Sequence, residues 1–190
     1  STTYRVDMGH GDILTDGSMP LFTDTWISWT SVALNATHAD EDTLFISGWS
    51  STLIEIPIDG PGALPHPSGA RLVEASIDFH VVTNNSSTPS IAIYETLKDW
   101  NESATGLSYN GATNWTALGG NGLQDRTEWV DVVVDQSGRM SMDITEIVQT
   151  AISRGDDSVG LMLGVDHFSG DQMVLALSLI HISEPTSPER

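Results

Sequence analysis

Residues 71–83 read R-L-V-E-A-S-I-D-F-H-V-V-T. Successive side chains of a strand point to opposite faces. The run therefore sets Val73, Ala75, Ile77, Phe79 and Val81 on one face and Glu74, Ser76, Asp78 and His80 on the other. One apolar face over this length predicts a strand with one side buried. The same alternation recurs downstream. Val130, Val132 and Val134 alternate with Trp129, Asp131 and Asp135, and Val159, Leu161, Leu163 and Val165 alternate with Ser158, Gly160 and Asp166. Ile54, Ile56 and Ile58 form a further stripe, in which Pro57 marks an edge or a strand end because it donates nothing to a ladder. Residues 26–29 and 44–47 supply two earlier strands. Clusters of Gly, Pro, Asn and Ser separate these runs.

One segment has helical spacing. Across 144–152, Ile144, Ile147, Val148, Ala151 and Ile152 share a face, Asp143 is placed to cap the start with Glu146 completing a capping box, and Gly155 suits the stop. The expected fold is all-β: an antiparallel β-sandwich or jelly roll with one short helix as a lid over its core.

Charge narrows the function classes. Against 26 acidic residues stand 7 basic ones, a formal charge of −19, and Lys98 is the single lysine. Nucleic acid is not an expected partner, because binding phosphates requires clustered Lys and Arg to displace counterions. No run approaches the roughly 20 apolar residues of a membrane span, so membrane insertion is not expected either. Such acidity suits a protein that stays hydrated in salt. The absence of cysteine excludes disulfides, thiolate nucleophiles and Cys-ligated zinc. Five of the seven asparagines, Asn35, Asn84, Asn85, Asn101 and Asn114, open N-x-S/T triplets, which points to an exported, glycosylated chain, extracellular or on a cell surface.

The order of these signals resembles the DNRLRE domain family, whose relatives include modules of polysaccharide-degrading enzymes. Asp24-Thr25-Trp26-Ile27 is similar to the family's D-T-Y-I strand, and residues 43–48 to the next. Residues 51–56 stand in the place of its R-x-L-L-x-F strand. The most specific block is Trp100-Asn101-Glu102, Ala104-Thr105, Tyr109, Trp115, Gly119-Gly120 and Asp125, followed by Met142-Asp143-Ile144-Thr145 and Val148-Gln149. Gly106 departs from the pattern, standing where Trp is usual. The resemblance implies a carbohydrate-binding-module-like β-sandwich in which Trp100 and Trp115 pin a long loop. Residues 177–186, L-S-L-I-H-I-S-E-P-T, resemble instead the translation of a sequencing adapter. The chain is thus divided into residues 1–23, a linker or preceding-strand remnant; 24–176, the sandwich module; and 177–190, a non-native tail.

Carbohydrate recognition needs a flat aromatic ring to stack on a sugar face, flanked by polar groups for its hydroxyls. Trp129, set opposite the valine stripe beside Asp131, is the leading candidate, with Trp49 and Trp115 after it. Few and scattered basic residues favour a neutral glycan, or a calcium-bridged one, over an anionic glycan held by basic side chains. Calcium is the one cofactor the acids could take, with Asp40, Glu41 and Asp42 in one run and Asp156 and Asp157 in another as candidate ligands, although neither run has EF-hand spacing. No catalytic residue is assigned: the chain has no G-x-S-x-G elbow, no phosphate-cradling loop and no Cys nucleophile. The functional expectation is a non-catalytic module of a larger secreted or cell-surface polypeptide, binding a polysaccharide or surface glycan. The alternative is a structural or adhesive spacer repeat. A polysaccharide lyase, which would need Tyr, His and Arg in one groove, is the weakest of the three readings.

Overall fold

A computed structural model of the chain describes residues 3–8, 22–41, 43–59, 63, 72–84, 90–127, 130–133, 139–165 and 172–185; side chains are described for 22–41, 43–59, 63, 72–82, 91–127 and 140–165. Among the described residues, ten strands and one α-helix follow in order, with a single 3-10 turn at Leu118–Gly120: β1 (Thr3–Met8), β2 (Thr23–Ser28), β3 (Leu44–Ser47), β4 (Ser50–Pro57), β5 (Glu74–Asn84), β6 (Ser90–Glu95), β7 (Val130–Val133), β8 (Arg139–Asp143), α1 (Thr145–Arg154), β9 (Ser158–Val165) and β10 (Gln172–Pro185).

Every strand pairing is antiparallel, and the strands form two sheets. The first runs β7-β6-β9-β4, with β2 on the far edge of β4. The second runs β3-β10-β5-β8, with β1 pairing the C-terminal half of β10 on the edge that β3 occupies at its start. A tight turn after Ser47 carries the chain from one sheet to the other, and a single pair, Ser47 with Ser50, links them.

Alternation builds the core between the sheets. Ile54 and Ile56 of β4, Ile91 and Ile93 of β6, and Leu161 and Leu163 of β9 meet Ile46 of β3, Ile77 and Phe79 of β5, and Met140 and Met142 of β8, all fully buried. Burying each such side chain stabilises by about 1.5–3 kcal/mol before entropy is counted. The antiparallel sandwich read from the sequence is the fold observed. Pro57 ends β4, as its missing N–H requires.

Two positions of the 71–83 run differ from expectation. Val73 lies ahead of the strand and is exposed; Leu72 turns inward in its place, its N–H donating to Gln149 Oε1 at 2.7 Å. Asp78, on the polar side, is buried, whereas His80 on the same face is exposed. For β7 only the backbone is described, so the facing of Val130 and Val132 lies outside the described residues, as do Trp129 and Val134 altogether. Residues 177–185, within the adapter-like segment, supply the second part of β10, which pairs β5 and β1.

Helix α1 carries the chain from β8 in one sheet to β9 in the other, burying Val148 and Ala151 beside Ile144. It starts one residue later than predicted. Asp143 Oδ1 accepts from the Thr145 N–H at 2.9 Å, the Thr145 hydroxyl receives the Ala75 N–H, and Glu146 remains exposed instead of closing a capping box. Gly155 ends the helix at φ 78°, its N–H on Ile152 O and that of Asp156 on Ala151 O, the paired bonds of a left-handed stop.

Candidate functional site

Between β6 and β7 the chain makes a long excursion over the outer face of the first sheet. Its neck is closed by hydrogen bonds from Leu97 N–H to Asp125 O (2.7 Å) and from Thr127 N–H to Glu95 O (2.9 Å). Underneath, Trp100, Ala104 and Trp115 bury against Ile27, Leu53, Ala92, Tyr94 and Met162, the side chains of β2, β4, β6 and β9 that alternation turns away from the inter-sheet core. The first sheet is therefore covered on both faces.

Two features hold the excursion down. Asp125 is fully buried, and its carboxylate accepts the N–H groups of Thr116 (3.0 Å), Ala117 (3.0 Å) and Gly122 (3.2 Å). Burial pushes this carboxyl upward, but those amide donors outweigh it and hold the group below its ordinary range. Gly106 lies so close to β2 that a Cβ there would sit 2.0 Å from Ser28 O. Any larger side chain at this position would collide with the β2 backbone.

The excursion also meets the β2–β3 loop, where Leu107 N–H donates to Leu34 O at 3.2 Å. Along that seam runs an open groove of about 600 Å³, within the usual size of small-ligand sites. Some of its polar residues build the loop. Thr105 Oγ1 accepts the N–H groups of Leu107 and Ser108, Ser108 Oγ accepts that of Gly111, and Asn110 Oδ1 accepts those of Ala112 and Thr113. Four others, Asn35, Thr37, Ser103 and Asn114, are exposed and engage no side-chain hydrogen bond among the described residues. No lining residue is charged.

The sites expected from sequence are dispersed. Trp115 is buried, and its indole N–H donates to Thr105 O at 2.9 Å. The ring thus packs beneath the excursion, the pinning role that the resemblance implied, and is not presented as a stacking platform. Trp49, on the turn between β3 and β4, has half its surface exposed, and its backbone O accepts the Trp29 N–H at 3.0 Å. Trp129 and the Asp131 side chain lie outside the described residues.

Of the proposed calcium ligands, Glu41 is already engaged: it accepts from Trp26 Nε1 at 2.9 Å and meets His38 Nδ1 at 2.7 Å, while the His38 ring stacks on Trp26 at 3.4 Å. Partial burial raises the Glu41 carboxyl, yet these two partners hold it below its ordinary value. Asp156 pairs with Arg154, which also grips Glu95. Asp40 and Asp157 are exposed, and Asp42 lies outside the described residues. Among the described residues no three His, Asp or Glu side chains gather in an arrangement that could hold a metal ion. Asn35, Asn101 and Asn114 of the sequons are exposed; Asn85 and the Asn84 side chain are outside the description.

Compared with known protein families and with characterised proteins, the chain matches none. The resemblance to the DNRLRE family rests on the residues that carry it.

Sequence reasoning missed the groove, although a signal was present. Residues 25–37 and 103–124 contain no Asp, Glu, Lys or Arg in a chain that is 17% charged. The fold lays these two charge-free windows side by side.

Proposed function

We propose that the chain is a non-catalytic glycan-binding module of an extracellular or cell-surface protein, and that the groove between the β2–β3 loop and the excursion receives a neutral saccharide. The observation that carries this reading is the groove's uncharged lining on a chain of net charge −19. A carboxamide offers donors and an acceptor, and a hydroxyl offers both, so Asn35, Thr37, Ser103 and Asn114 match the mixed donor and acceptor character of sugar hydroxyls. A charged ligand would find no countercharge there. Trp49 offers a half-exposed ring for a sugar face. The β-sandwich frame and the family resemblance support the same class.

The test is calorimetric titration of the whole chain with neutral glucan, mannan and xylan oligosaccharides against alginate and polygalacturonate oligomers. The expected result is binding confined to neutral sugars and weakened by Ser103→Ala and Asn114→Ala, each lost hydrogen bond costing about 0.5–1.5 kcal/mol. Binding of the anionic set alone would contradict the reading. Exposed sequons at Asn35, Asn101 and Asn114 favour a second reading, a glycan-coated spacer repeat, to which a silent panel would point.

A further inference from the structure

The four groove side chains that engage no hydrogen bond among the described residues have a second property in common. Asn35 and Thr37 are the first and third residues of one N-x-T triplet, Asn114 opens another, and Ser103 closes the triplet that begins at Asn101. The polar groups turned to the groove are thus the groups that asparagine glycosylation uses. Asn101 differs: it is exposed but does not line the groove, and its Oδ1 accepts the Ser103 N–H at 2.9 Å.

We infer that Asn35 and Asn114 are N-glycosylated and that the sugars they carry occupy the groove, so that self-modification and capture of an external glycan exclude one another. The inference rests on the glycan-binding reading for its consequence, but not for the location of the attached sugar. In the modification, Asn Nδ2 bonds to C1 of a lipid-linked oligosaccharyl diphosphate. The C1–O bond to the diphosphate breaks, and Nδ2 gives up one proton as the diphosphate leaves. A first sugar joined to either wall of a groove of about 600 Å³ has that space as its nearest surroundings, and the lining that would suit a foreign saccharide suits it equally. The attached sugar needs no second molecule to find it, so its effective concentration at the groove is on the order of millimolar, above that of a dilute free ligand.

The test produces the whole chain in a host with N-glycosylation and in one without. Peptide mass spectrometry reads occupancy at each asparagine, and a peptide N-glycanase then releases sugars from the folded and from the denatured chain. Asn35 and Asn114 are expected to be occupied, and to release sugar from the folded chain about tenfold more slowly than Asn101, the ratio that a contact of about 1.4 kcal/mol gives. The three rates should become equal on denaturation. Equal rates in the folded chain, or bare Asn35 and Asn114, overturn the inference. In parallel, the unglycosylated chain should bind the neutral oligosaccharides and the glycosylated one should not; equal binding by both also overturns it. If the unglycosylated chain binds nothing, the glycan-capture reading fails, while the release rates still decide where the chain's own sugar lies.

Discussion

Asp125 shows how one side chain can organise a loop of more than twenty residues. Its carboxylate takes three backbone N–H groups that no strand or helix satisfies, and a buried donor without a partner costs about 1–3 kcal/mol. Asp125→Asn turns one of its acceptors into a donor facing other donors, and should destabilise the fold by roughly 2 kcal/mol or more in denaturant unfolding. The pH dependence follows from the sign of the shift. A carboxyl held below its unfolded value of about 3.9 contributes fully above that pH, and its contribution is lost as pH falls through the folded value. Wild type should therefore lose more stability than Asp125→Asn on acidification below about pH 4; parallel acid profiles would show that Asp125 is not the pin. The sequence resemblance singled out Asp125 as part of a pattern. Its role was not legible, because the three donors are ordinary peptide groups of Thr116, Ala117 and Gly122 that carry no side-chain signature.

Among the elements, those with strict periodicity were legible. The stripes of β4, β5 and β9 needed one alternation each, and α1 was visible from its apolar spacing and its stop at Gly155. The excursion was not, since its order comes from packing on β2, β4, β6 and β9 rather than from local repetition. Two glycines separate these cases. At Gly155, φ is 78° and a Cβ would meet nothing within 4 Å, so Gly155→Ala should cost only the left-handed backbone penalty, about 1–2 kcal/mol. At Gly119, φ is 70° and a Cβ would fall 2.2 Å from Trp29 Cε3. Gly119→Ala should therefore cost clearly more, by thermal or denaturant unfolding, because the ring must also move. Equal losses at the two positions would mean that the excursion does not press on Trp29 as described.

For the whole molecule, the arrangement is two antiparallel sheets with a third layer, the excursion, laid on the outside of one of them. That layer brings together the 25–37 and 103–124 windows, which composition alone left unconnected because their proximity is set by folding rather than by spacing. It also shows which of two roles its tryptophans take. An aromatic in a Gly- and Asn-rich loop can stack on a ligand or bury beneath its own loop, and Trp100 and Trp115 do the second. On a surface otherwise dominated by acids, the uncharged seam is the place where a neutral polar ligand meets the least competing charge. The most direct measurement is amide NMR of the isotope-labelled, unglycosylated chain during titration with a neutral oligosaccharide. Shifts should concentrate at residues 35–37 and 103–114 while the strand amides of β5 stay still. Shifts confined to other surfaces, with those two segments unmoved at saturation, would contradict the account.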